Sequence, residues 1–130
     1  MSVGNLFDQW LSKAEDDLTM AKRALRGKNK IVWSACNHSQ QSAEKVLKAF
    51  LASKGIPPER THDLLALNHA CVSSDPEFLF LNDFCRVLNP YSVHVKYPAE
   101  LGLTLSDAKQ AIKAAEEVRS FVLRRVEATS

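Results

Sequence analysis

The chain has 130 residues and a formal net charge of +2, with 45% apolar and 25% charged residues, the balance of one globular domain, residues 1–130, large enough for a real core. So small a net charge does not argue for nucleic acid by itself, and no apolar run reaches the ~20 residues that a membrane span needs. Cys36, Cys71 and Cys85 are odd in number with no Cys-x-x-Cys; this speaks against a disulfide scaffold or zinc ribbon and, with Asp8 early and no apolar leader core, sets the expectation of a cytoplasmic protein without an export signal.

Residues 3–26 read as a first helix, with Leu6, Trp10, Leu11, Ala14, Leu18, Ala21 and Leu25 at helical spacing. Asp8, Glu15, Asp16 and Asp17 come early, and Lys22, Arg23 and Arg26 come late, as the helix dipole favours. Gly27 is expected to end it. The cations Lys22, Arg23, Arg26, Lys28 and Lys30 form a cluster that fits a solvated loop or a phosphate-binding patch.

Residues 33–55 form the second and most informative helix, proline-free until Gly55 supplies a C-cap. Val32, Cys36, Ala43, Val46, Leu47 and Phe50 share one face. Ala35, Ser39, Ser42 and Ala49 make a small-residue face, which invites a close neighbour. Asn37, His38, Gln41, Glu44, Lys45 and Lys48 make a polar stripe whose groups need partners, from the chain, a second subunit or a ligand.

Thr61 reads as the N-cap of a short third helix, with His62, Asp63 and Leu64 in its first turn. Asp75-Pro76 starts a fourth, marked by Phe78, Leu81, Phe84, Cys85 and Leu88 and stopped by Asn89-Pro90. Tyr91, His94, Lys96 and Tyr97 lie between Pro90 and Pro98, an aromatic-rich loop suited to recognition. The last helix begins near Thr104, with Asp107 three residues on as a near-miss capping box, aspartate standing where the box has Glu or Gln, and with Ala108, Ala111, Ile112, Ala115, Val118, Val122 and Val126 facing inward. The expected fold is all-α: an antiparallel up-and-down four-helix bundle with one extra short helix.

Neither common phosphate loop is present, nor His-Glu-x-x-His, and no cofactor or metal site is expected. Arg86 and His94 are the candidate catalytic pair, an arginine to steady phosphate and a histidine to move a proton during attack by an RNA 2′-hydroxyl.

The run Ala43-Glu44-Lys45-Val46-Leu47-Lys48-Ala49, then Gly55-Ile56, Thr61-His62-Asp63-Leu64, Tyr91 and Lys96-Tyr97-Pro98 resembles the HEPN domain family ("higher eukaryotes and prokaryotes nucleotide-binding") over roughly residues 6–126. The resemblance implies an up-and-down helical bundle, usually a homodimer. Prokaryotic members often accompany a nucleotidyltransferase, as a separate protein or a fused domain. Many others are metal-independent ribonucleases or toxins of toxin–antitoxin pairs, with four to six residues between an arginine and a histidine. Here seven residues separate Arg86 from His94, Val87 replaces the usual polar residue after the arginine, and Lys96 stands where a related subgroup has arginine. A lysine keeps the charge but not the planar fork.

Two functions follow. The first is a non-catalytic module that binds a nucleotide or polyphosphate, or docks a nucleotidyltransferase, through His38, Gln41, Lys45, Lys48, Tyr91, Lys96 and Tyr97. The alternative is a metal-independent ribonuclease of toxin–antitoxin type using Arg86 and His94, with RNA as substrate. A homodimer is expected in either case, because the small-residue face and the alanine-rich last helix call for an additional close neighbour.

Overall fold

The structure, a computed structural model, describes residues 4–93 and 102–129. His94, Lys96 and Tyr97 lie outside the described residues, as does Pro98. The elements in order are α1 (Asn5–Arg23), α2 (Val32–Ser53), α3 (Leu64–Ser74), a 3-10 turn (Pro76–Leu81), α4 (Asn82–Leu88), a second 3-10 turn (Asn89–Tyr91) and α5 (Leu105–Thr129). No strand occurs among the described residues. The all-α expectation holds, with α1, α2 and α5 as the long members.

Helix α1 buries Phe7, Ala14, Leu18 and Ala21. It stops at Arg23 rather than near Gly27, and the chain turns back so that the Ile31 N–H donates to the Ala24 carbonyl at 2.8 Å. Gly27, at φ 75°, serves that turn, in a region that side chains with a Cβ avoid.

Helix α2 lies at the centre and is covered on most sides. Its buried residues include Ala35, Cys36, Ser39, Ser42, Ala43, Val46, Leu47, Ala49, Phe50 and Leu51. The small-residue face finds its neighbour within the chain: the Ser42 hydroxyl donates to the Ala14 carbonyl of α1 at 2.9 Å. Ala108, Ala111, Ala114 and Ala115 of α5 are likewise buried in the same chain. These faces therefore give no reason to invoke a second subunit, because close helix approach inside one bundle already uses them. At the C-terminal end, Ile56 N–H donates to Leu51 O at 2.9 Å and Gly55 N–H to Ala52 O at 3.0 Å. Gly55 has φ 69°, which completes a Schellman motif, and Ile56 packs on the core.

The third helix starts later than its sequence suggests. Asp63, not Thr61, is the N-cap, and its carboxylate accepts from Leu65 N–H at 2.9 Å. Thr61 Oγ1 accepts instead from Asp63 N–H at 3.1 Å, so it orders the approach to the cap. The fourth helix is composite. Asp75 caps it and Pro76 opens it as expected, but six residues wind as 3-10 before α4 begins. This tighter winding carries Phe78 into the core while leaving Leu79 and Phe80 58% exposed each. Phe78 contacts Phe50 of α2 and Phe121 of α5, with ring centroids 4.3 and 5.0 Å apart. Thr104 and Asp107 close a full capping box on α5: Thr104 N–H donates to Asp107 Oδ2 at 2.9 Å, and Asp107 N–H donates to Thr104 Oγ1 at 3.1 Å.

The capping geometry predicts that Asp63→Ala lowers stability by about 1 kcal/mol or somewhat more in urea unfolding, while Thr61→Ala costs only a few tenths. Equal losses would contradict this assignment. The three thiols are fully buried. Burial pushes Cys36 up to about 11, helped by the charge of Asp107, and pushes Cys71 and Cys85 up to about 12. Native protein is therefore expected to resist a thiol reagent at pH 8 and to react fully once unfolded. Because the folded protein holds these protons more tightly, stability is unaffected below about pH 9 and falls as pH climbs toward 12.

Candidate functional site

The polar stripe of α2 is largely spent inside the protein. Asp17 of α1 takes both the Lys45 ammonium and His38 Nδ1, the latter at 2.9 Å, with 13% of the Asp17 side chain exposed. Glu44, 5% exposed at its side chain, takes Lys48 Nζ at 3.0 Å. It also faces His62 Nδ1 at 3.1 Å and accepts from Gln40 Nε2 at 3.3 Å. Lys48 also lies 5.3 Å from the centroid of the Trp10 ring, a cation–π distance. Asn37 donates to the Tyr91 carbonyl at 2.8 Å, and the Tyr91 ring meets Trp33 edge-on at 6.4 Å. Gln41 is half-buried beside them. Lys45 and Lys48 thus carry their counter-ions with them, and Tyr91 is tied to the start of α2.

A second region presents its charges outward. Between the segment entering α3 and the end of α4 lies an open cleft of about 710 Å³, with Arg60, His62, Asp63, Arg86, Asn89 and Ser92 among its lining. A double latch sets its shape. Asn89 Oδ1 accepts from Leu64 N–H at 2.9 Å, and Asn89 Nδ2 donates to Asp63 Oδ1 at 2.8 Å. The Glu44–His62 contact fastens the same segment to α2, and Gln40 reinforces it by donating to the His62 carbonyl at 3.3 Å.

The two arginines are held differently. Arg60 is exposed and makes no ion pair among the described residues. Arg86 is 59% exposed and pairs with Asp83, itself 93% exposed, at 2.8 Å. A pair so open to water contributes little to stability. Asp63 is engaged by its cap and by Asn89. Chemically, the cleft offers two planar forks for an anion, an imidazole backed by a buried carboxylate, and amide and hydroxyl groups for orientation.

Of the residues expected from sequence, Arg86 lies on this cleft. His38, Gln41, Lys45 and Lys48 belong to the internal stripe, while His94, Lys96 and Tyr97 fall outside the described residues. Sequence reasoning missed Arg60 and gave Asn89 only a helix-ending role. Asn89 precedes a proline and Arg60 sits in a polar turn, so each reads as a local feature. Their presence in one lining depends on contacts between distant segments. Among the described residues no group of three or more His, Cys, Asp or Glu side chains is placed to hold a metal ion. No helix among them is long and apolar enough to cross a membrane.

The family model for the HEPN domain matches residues 7–126. Among solved structures, the crystal structure of an archaeal HEPN homologue superposes with a TM-score of 0.73 at 26% identity, covering 92% of this chain and 97% of that one. None of the curated proteins compared with the chain matches it. With the family model covering nearly the whole length and the helices superposing on those of the archaeal homologue, this chain belongs to the HEPN domain family.

Proposed function

We propose that the chain is a non-catalytic binding module for a phosphate-bearing ligand, a nucleotide or polyphosphate, seated in the cleft between Arg60 and Arg86. The observation that carries this reading is the presence of two exposed arginines in the lining of one open cleft that also holds His62, Asn89 and Ser92. Arginine recognises phosphate through paired N–H donors. The stripe formed by His38, Gln41, Lys45 and Lys48 supports the reading less, since Asp17 and Glu44 already neutralise its lysines. Tyr91, Lys96 and Tyr97 remain part of the proposal from sequence alone, since Tyr91 is tied to α2 and the other two lie outside the described residues. Pairing into a homodimer and docking to a separate nucleotidyltransferase belong to the same proposal. Exposed Leu79 and Phe80 on the 3-10 turn before α4, and Val87 on α4 itself, are apolar surface suited to such a contact.

The expected outcome is measurable by calorimetric titration with ATP and with inorganic triphosphate as probes. Arg60→Ala and Arg86→Ala should each weaken binding about tenfold, or about 1.4 kcal/mol, with unchanged melting temperatures. Wild-type affinity in both variants would overturn the seat proposed here.

A second reading, a metal-independent ribonuclease using Arg86 and His94, is favoured by one observation: Arg86 stands exposed on the cleft wall. Against it stand the seven-residue spacing and Val87. Purified protein is expected to cleave a labelled RNA no faster than background, with or without magnesium. Cleavage that disappears in His94→Ala would put the ribonuclease first.

A further inference from the structure

The charge of the molecule is small in total but unevenly placed. No Asp or Glu occurs between Asp17 and Glu44, whereas Lys22, Arg23, Arg26, Lys28 and Lys30 all fall in that interval. In the structure Arg23 is the last residue of α1, and Arg26, Lys28 and Lys30 occupy the connection to α2, all exposed. Lys30 Nζ donates to the Gly27 carbonyl at 2.8 Å, which orders the connection without removing charge from it.

Helix α5 extends this basic end. Glu15 of α1 pairs with Arg119, and Lys22 pairs with Glu116 at 2.8 Å, so α1 and α5 run antiparallel. Lys113 and Lys109 are three and seven residues before Glu116, and both are exposed. At the helical rise they lie roughly 4.5 and 10.5 Å further along, level with the end of α1 and its following turn. Among the described residues near this end, Glu116 is engaged by Lys22 and Asp107 by Thr104 N–H and hydroxyl, while Glu117 stands one helical turn after Lys113.

We propose that this end of the bundle, with Arg23, Arg26, Lys28, Lys30, Lys109 and Lys113, is an interaction surface for the phosphate backbone of a nucleic-acid strand. The surface is separate from the Arg60–Arg86 cleft and does not depend on the reading of that cleft. Three features select the partner. Exposed cations that make no ion pair among the described residues suit a chain of phosphates, which needs no apolar anchor. A protein partner would be expected to meet aromatic or aliphatic anchors and few lysines at the centre of its footprint. Here the exposed large apolar side chains are Ile31 on the connection, at 59%, and Met20 near the end of α1, at 45%. A membrane surface would require a broad apolar face to insert beside the cations, which two separate side chains do not supply.

The test is fluorescence anisotropy of the full chain with a labelled single-stranded RNA and a DNA of matching sequence, at a series of salt concentrations. Four phosphate contacts predict a loss of about fifty-fold in affinity between about 50 and about 200 mM salt for a single strand. The double variants Arg23→Glu/Arg26→Glu and Lys109→Glu/Lys113→Glu should each weaken binding at least tenfold and flatten the salt dependence. All four residues are exposed, so the melting temperature should stay at the wild-type value. Arg60→Ala/Arg86→Ala should bind the strand as wild type does. The proposal is overturned if both reversal variants bind like wild type, if no salt-dependent binding is seen, or if strand binding vanishes only in the cleft variant. Poly-glutamate binding as tightly as the strand would overturn it in favour of an acidic protein, and tighter binding to anionic vesicles would do so in favour of a lipid surface.

Discussion

Glu44 is a carboxylate in the middle of the most enclosed helix, with 5% of its side chain exposed. Taking such a group out of water costs several kcal/mol unless partners surround it. Lys48 and Gln40 supply partners from the same helix, and His62 supplies one from the chain that leads into α3. The carboxylate therefore does more than neutralise a lysine. It fixes where the α2–α3 connection runs, and that course determines which residues stand at the cleft. A hydrophobic contact could stabilise as much, but it would not specify one direction for His62 so narrowly.

Asp17 acts in the same way on the other flank, drawing His38 and Lys45 of α2 onto α1. Together the two carboxylates turn what looks like a reactive stripe into internal scaffolding. The charges left over are displaced to the margins. Arg60 and Arg86 stand at the cleft, where Asn89 latches Asp63 and Leu64 to the end of α4. A second set collects where α1 hands over to α2. A weakly charged chain thus still gathers exposed cations unevenly, and local potential, not net charge, is what an anionic partner would meet.

The departures from the sequence reading have a common cause. Thr61 has the right chemistry for a cap, but Asp63 has it too, and Asn89 from α4 fixes Asp63 in place. Residues 76–88 carry an unbroken helical period, yet Phe78 must reach between Phe50 and Phe121, and a 3-10 start places it there. The small-residue face of α2 correctly announced a close neighbour. Sequence could not say that α1 fills that role within the same chain, through contacts such as Ser42 to Ala14.

The sequence by itself determined the helical class, the central place of α2, the Gly55 stop, the Asp75-Pro76 start and the Thr104–Asp107 cap. Each is written in residues a few positions apart, where spacing alone decides which groups meet. It also carried the family, through motifs whose order survives without knowledge of their contacts. Tertiary structure alone decided which cations of α2 are neutralised and which arginines remain open to solvent. Those outcomes depend on ion pairs and latches between residues far apart in the chain, such as Asp17 with Lys45, Glu44 with His62 and Asp63 with Asn89. A pattern of local periods contains no term for them, because Coulomb and hydrogen-bond energies fall away unless packing brings the partners within a few ångströms.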